Sequence, residues 1–276
     1  RILGEPKTID NDLVLTDHTP GFGSAARYVA STVREIVIDA NVYETKSVTI
    51  VEIMGRHAGW LTAASALARK HSEDNPLLIY LPETAFDQEA FLAKVEACFE
   101  KNPNVIVCVS EGIHDKKGTF ICEYDSSVGT DTFGHKMLAG CGKYLENLVR
   151  SRLGVKARSV ELNVSQRCSA SLISATDQKE AITAGKFGVQ AALNGETGKM
   201  VSFIRQTDSE GNYQMVCGLE DVNAICNEEK TVPLTWITSD GHDVTEDFIR
   251  YARPLIQGNI EVPLGEDGLP KFVYRK

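Results

Sequence analysis

Two runs of this chain leave little freedom of fold. Ser47-Val48-Thr49-Ile50-Val51-Glu52-Ile53-Met54 and Val105-Ile106-Val107-Cys108-Val109-Ser110-Glu111-Gly112 are β-branched and almost continuously apolar. A strand with one wet face alternates polar and apolar residues. An unbroken apolar run is a strand buried on both faces, as in a parallel sheet covered by helices. The first run passes through Gly55 into an Ala- and Leu-rich helix over 61–68. A shorter strand over 77–81 stops at Pro82. It leads into an amphipathic helix over 86–100, with Phe91, Val95, Cys98 and Phe99 on one face. Further helices are predicted over 25–40, with Ser24 as N-cap, and over 136–153, 177–192 and 243–251. Strands are predicted over 157–163, 199–205 and 213–219, the last two joined by the polar turn 208–211. Repeated strand–turn–helix units of this kind define an α/β fold with mainly parallel sheets flanked by helices.

Composition narrows the function classes. With 38 acidic against 29 basic residues, the net charge is −9, which argues against a nucleic-acid surface. An anionic ligand would need a local cluster of Arg and Lys working against that field. Seven cysteines, an odd number with no Cys-x-x-Cys pair, read as reduced cytoplasmic thiols rather than a disulfide framework or a zinc site. No apolar run reaches the ~18 residues that a membrane span requires, so no membrane partner is expected.

The chemistry-bearing stretch is Pro6-Lys7-Thr8-Ile9-Asp10-Asn11-Asp12. Proline biases the preceding residue toward extended backbone, and Thr, Asp and Asn favour loop ends where their side chains bond nearby backbone. The string reads as the end of a strand that presents polar groups. At the carboxyl end of a parallel strand such groups face the ligand crevice. One cation and two carboxylates suit phosphoryl transfer: one carboxylate accepts a hydroxyl proton, the other helps hold Mg²⁺, and the lysine offsets phosphate charge. The residues alone are equally compatible with a well-bonded turn bearing a solvated charge cluster.

Other strand ends carry polar residues too. Met54-Gly55-Arg56 follows the first buried run, and Glu111 closes the second. A carboxylate at the carboxyl end of a buried strand suits a ligand to sugar hydroxyls, although it also suits a cap for the next turn. Arg56 on its own reads first as a surface ion pair, the commoner fate of an arginine, and His57 reads as a packing residue at a helix start rather than an acid or base. Gly140-Cys141-Gly142-Lys143 does not have the spacing of a phosphate loop and reads as close helix packing.

Taken together, these motifs resemble the 6-phosphofructokinase family over nearly the whole chain, most of all its pyrophosphate-dependent branch. The family hallmark is Pro-(Lys or Gly)-Thr-Ile-Asp-Asn-Asp, and Met-Gly-Arg is its second motif. The resemblance implies transfer of a phosphoryl group from pyrophosphate to the 1-hydroxyl of fructose 6-phosphate, with Mg²⁺ as cofactor. Asp10, Lys7, Arg56 and Asp12 would be catalytic, with Asp12 also the metal ligand. Thr8, Ile9, Asp10, Met54, Gly55, Arg56, Glu111, Val164 and Arg167 would line the substrate site. Arg158 is a weaker phosphate candidate that would act across a subunit contact.

The resemblance further implies two lobes with the active site in the cleft: 20–165 for the sugar phosphate, 1–19 with 166–250 for the donor, and a closing extension, 251–276, at a subunit or domain contact. It implies a cytoplasmic homodimer or homotetramer. The family's upstream Gly-Gly-Asp donor loop is expected outside this chain. Lys7 in place of Gly, the loop after it and the closing segment favour pyrophosphate. An ATP-dependent 6-phosphofructokinase and a non-catalytic sugar-phosphate-binding or regulatory subunit are the alternatives. Two positions depart from the family pattern. Val164 stands where many members carry His or Tyr, so either other cations hold the substrate phosphate or its affinity is lower. Lys46-Ser47 stands near where many members carry an interface Arg, and a lysine is a point charge rather than a bidentate fork.

Overall fold

The computed structural model describes residues 1–124 and 140–272. In chain order, β1 (Leu3–Gly4) precedes α1 (Phe22–Ala40) and β2 (Ser47–Ile53). The short α2 (Trp60–Ala63) then continues as a 3-10 helix, Ala64–Ala68. Next come β3 (Leu78–Tyr80), α3 (Gln88–Cys98), β4 (Asn104–Ser110), α4 (Cys141–Leu153), β5 (Lys156–Glu161) and α5 (Ala175–Leu193). The chain goes on through β6 (Lys199–Thr207), β7 (Tyr213–Asp221), α6 (Val222–Ile225) and α7 (Glu246–Ala252). The start of the helix expected over 136–153 lies outside the described residues.

The two strongly apolar runs are neighbours in one parallel sheet of order β3-β4-β2-β5, paired rung for rung from Ser47–Asn104 to Ile53–Ser110. Because side chains alternate along a strand, each run feeds two cores. Val51, Ile53, Ile106 and Cys108 face α1, the 60–68 segment and α7. Val48, Ile50, Val105, Val107 and Val109 face α3 and α4. Full burial of each such aliphatic side chain contributes roughly 1.5–3 kcal/mol, which explains why polar alternation is absent here. The second sheet has order β1-β6-β7. β1 is parallel to β6, while β6 and β7 form an antiparallel hairpin under α5, through Ala184, Val201 and Phe203.

Three expectations need correction. Ser24 is not the N-cap of α1. The helix begins earlier, after Gly21 at φ 101°, and its first amides are satisfied by the carboxylate of Asp177 on α5: Gly21 N–H at 2.8 Å and Ser24 N–H at 3.0 Å. A distant carboxylate thus does the work assigned to a local hydroxyl. The helix expected over 243–251 starts at Glu246, because Asp243 is engaged by the guanidinium of Arg69 at 2.8 Å. The helix expected over 61–68 tightens to 3-10 geometry after Ala63. The closing segment also packs into the chain's own core: Tyr251, Ala252 and Leu255 are buried with Trp60 and Phe248.

Candidate active site

The loop after β1 is held from several sides. Pro6 is buried, and Thr8 bridges to Gly21 just ahead of α1. Thr8 Oγ1 accepts the Asp10 N–H at 3.0 Å, closing the turn. Asn11 is fully buried at φ 58°, a left-handed conformation that asparagine tolerates. Its amide donates to Tyr251 Oη at 2.9 Å, and its Oδ1 accepts from Thr19 N–H at 3.1 Å and Lys230 Nζ at 3.3 Å. Asp10 and Asp12 flank this fixed residue, both half-buried, while Lys7 is exposed.

The other strand ends meet beside it. Glu111 N–H donates to Ile53 O at 2.9 Å, and Ser110 Oγ donates to Gly55 O at 2.5 Å. Gly55 sits at φ 138°, a conformation open to glycine. Gly112 N–H donates to the same Gly55 carbonyl at 3.3 Å. Met54 N–H donates to the side chain of Gln166 at 3.3 Å, which ties the Met54-Gly55-Arg56 turn to the 3-10 segment Asn163–Arg167. Arg56, Val164 and Arg167 are exposed along this rim.

Charge unites the predicted residues. Burial pushes the Asp10 carboxyl up, and neighbouring Asp12 adds to the rise; the Thr8 hydroxyl, Arg167 and Lys7 oppose it. Burial pushes Glu111 up to about 7, with Glu52 and Asp10 adding to the rise and a Gly55 backbone hydrogen bond and Arg56 opposing it. Asp10, Asp12, Lys7, Arg56, Glu111 and Arg167 thus belong to one electrostatic neighbourhood. Shape unites fewer of them. A cavity of about 390 Å³ is bordered by Ile9, Tyr28, Gln166 and Arg167, and another of about 30 Å³ by Met54, Glu111 and Asn163. Asp10 and Arg56 line neither of these. Val164 makes no contribution of charge, and Lys46 lies at the opposite end of β2, its ammonium 5.2 Å from the Phe99 ring centroid. Arg158 on β5 is half-buried, 3.9 Å from Asp39.

Asp10 and Asp12 are the carboxylates that this loop could offer a magnesium ion, although no group of three or more His, Cys, Asp or Glu side chains among the described residues is placed to hold a metal. Mg²⁺ takes one or two carboxylates and completes its shell with water and phosphate oxygens. Asp10 and Asp12 are adjacent carboxylates that repel each other, and a bound cation would relieve that repulsion.

Several residues that support the loop carry no motif. Lys230 reaches it from the far end of the chain, and burial lowers its amine to about 8. Tyr251 Oη donates to Asp17 O at 2.7 Å. His18 is buried with a carboxylate on each ring nitrogen, Asp17 and Glu180, both at 2.8 Å. Burial alone would lower its pKa, but the two hydrogen-bonded carboxylates outweigh burial and hold it above the ordinary value. Arg205 pairs with Asp17 at 3.0 Å and lies 4.7 Å from the ring centroids of both Tyr213 and Tyr251. Gly140 and Gly142 donate their amides to the buried Glu52 carboxylate, in agreement with helix packing rather than phosphate binding.

Comparison with known proteins places this arrangement. A family model described as phosphofructokinase matches residues 1–192. A pyrophosphate–fructose 6-phosphate 1-phosphotransferase of Xanthomonas campestris pv. campestris is 43% identical over 99% of this chain and 65% of its own length. One from Methylococcus capsulatus is 38% identical over 97% of this chain and 63% of its own length. The crystal structure of a pyrophosphate-dependent phosphofructokinase from Marinobacter aquaeolei superposes with a TM-score of 0.85 at 33% identity, covering 99% of this chain and 66% of that one. The chain therefore spans just under two thirds of the length of the curated relatives it matches.

Proposed function

This chain belongs to the phosphofructokinase family, and from that premise we propose that it carries the sugar-phosphate site and catalytic carboxylates of a pyrophosphate-dependent 6-phosphofructokinase. The reaction moves a phosphoryl group from pyrophosphate to the 1-hydroxyl of fructose 6-phosphate. The observation that carries the reading is the half-buried Asp10, held in a constrained turn and coupled at once to Asp12, Lys7, Arg167 and Glu111. In this reading Asp10 accepts the proton of the attacking hydroxyl. Its elevated pKa makes it a stronger base than an ordinary aspartate. Lys7 and Arg56 offset the charge that grows on the phosphoryl and leaving groups, usually the dominant contribution in such sites. Glu111 accepts hydrogen bonds from sugar hydroxyls. Thr8, Ile9, Met54, Gly55 and Val164 shape the sugar site, and Arg167 grips the substrate phosphate as a fork. Magnesium, held through Asp12, supplies charge neutralisation at the phosphate oxygens.

We assign 20–165 to the sugar-phosphate lobe, 1–19 with 166–250 to the donor lobe and 251–276 to a closing extension. The protein is further proposed to act as a cytoplasmic homodimer or homotetramer; no helix among the described residues is long and apolar enough to cross a membrane.

The test is kinetic. Asp10→Ser in the intact protein is expected to lower turnover by about 10²–10⁴-fold; a loss below about tenfold overturns the assignment of the base. Donor competition tests the rest: phosphorylation of fructose 6-phosphate with ATP and none with pyrophosphate would reverse the donor assignment. Binding of fructose 6-phosphate without turnover on either donor would point to a regulatory subunit.

A further inference from the structure

We infer that Lys230 is a positioning residue for the loop that carries Asp10 and Asp12, and that it joins this loop to the turn that carries Arg56. The inference rests on the role proposed above for those residues. The ammonium of Lys230 has three protons and three oxygen acceptors, all on the loop: Asn11 Oδ1 at 3.3 Å, Thr16 O at 3.0 Å and Asp17 O at 2.8 Å. The Lys230 main-chain N–H donates to Asp12 O at 2.7 Å. One residue, more than 200 positions away in the chain, therefore grips the loop at four points between Asn11 and Asp17.

The other side of Lys230 faces the parallel sheet. Its Nζ lies 5.1 Å from the Trp60 ring centroid, and its carbonyl accepts from Trp60 Nε1 at 2.9 Å. Two residues on, the buried Val232 donates its N–H to Glu83 Oε1 at 2.8 Å, and that same oxygen accepts from Gly59 N–H at 2.8 Å. Gly59 and Trp60 close the turn that begins at Met54-Gly55-Arg56. A path of hydrogen bonds and short main-chain links thus runs from the Arg56 turn through Gly59, Glu83, Val232 and Lys230 to Asn11 and Asp12. A site that must set a base on one sheet against a cation on the other needs such a brace, because a displacement of about 1 Å can cost about 10²-fold in rate.

The experiment is Lys230→Met and Lys230→Arg in the intact protein, read by hydrogen–deuterium exchange and by steady-state kinetics. The Met variant is expected to keep the wild-type exchange of β2 and β4 while exchange over residues 11–19 rises by about tenfold, a local opening rather than a global one. Its kcat is expected to fall by about 10²-fold, with KM for fructose 6-phosphate within about twofold, and the Arg variant to recover part of both losses because it keeps a buried cation. Should the Met variant not fold, Lys230→Gln is measured by the same two readouts. Unchanged loop exchange together with kcat within about threefold of wild type would overturn the inference. A wild-type protein without turnover defeats the functional reading instead, and the exchange experiment still decides the role of Lys230.

Discussion

Gly112 lies directly beneath the main chain of Arg56, so close that a β-carbon on it would stand 1.8 Å from the Arg56 carbonyl oxygen. The obstacle is backbone, not a flexible side-chain tip, so Gly112→Ala must displace the Arg56 turn or the Glu111 strand end. The variant is expected to lose about 1–3 kcal/mol in urea unfolding, as overpacked sites do. Its turnover is expected to fall further than that loss explains, because Arg56 and Glu111 move apart. Kinetics within about twofold of wild type would show that the contact is not part of the site.

The Glu111 carboxyl, pushed up to about 7 mainly by burial, sets a pH dependence. Its raised pKa means that it is protonated below about 7, where it no longer accepts hydrogen bonds at both oxygens. The kcat/KM for fructose 6-phosphate is expected to rise with pH through this value, steepening toward about tenfold per unit on the acid side. Glu111→Gln is expected to remove that step while leaving any lower one that belongs to Asp10. A wild-type profile flat between pH 6 and pH 8 would contradict this, those limits lying about one unit on each side of the value.

His18 makes the opposite prediction for stability. Its folded pKa lies above that of the unfolded chain, so its stabilising contribution is complete below the unfolded value, about 6.5. It is lost as pH rises through the folded value. The difference in unfolding free energy between wild type and His18→Gln is therefore expected to be largest in mildly acid buffer and to shrink on the alkaline side. Asp17, held low by His18 and Arg205 against the pull of burial, works the other way. Its contribution is present above the unfolded carboxylate pKa and fades in acid. Urea titrations at several pH values check both signs.

Asp177 caps α1 from another element, accepting from Gly21 N–H, Ser24 N–H and the Ser24 hydroxyl. Asp177→Ala is expected to cost about 1–2 kcal/mol in urea unfolding, the upper range for loss of a helix cap. Asp177→Asn, which keeps one acceptor, is expected to cost less. Ser24→Ala, the natural choice had Ser24 been the cap, is expected to cost the least of the three.

The strands of the parallel sheet were legible because burial on both faces leaves a local trace: Val105 to Val109 can hardly be anything else. The Asp10 loop was legible for a similar reason, its chemistry being packed into seven consecutive residues. What the sequence concealed is whatever depends on distant partners. Gln166 stood next to Arg167 in plain view, yet its hydrogen bond from Met54 follows from the convergence of β2 and β5. Lys230 sits in an unremarkable acidic stretch, Asn227-Glu228-Glu229-Lys230, and only the folded chain reveals its acceptors. The cap of α1 is hidden on the same grounds, since a serine at a helix start is the commoner solution and nothing near it announces Asp177. The apolar pair Val232-Pro233, just after Lys230, is the one local hint beside that acidic stretch.

The pairing of Ile53 with Ser110 as the last rung of a seven-rung ladder makes the two strands a ruler. Met54 and Glu111 leave the sheet at the same height because both strands are counted from the same origin, Ser47 beside Asn104. Removing one residue from either strand would draw its outgoing loop back by one step and turn the alternate side chains to the wrong face. Loop substitutions at this rim adjust the site, whereas a single deletion in β2 or β4 would dismantle it without touching any residue that meets the substrate.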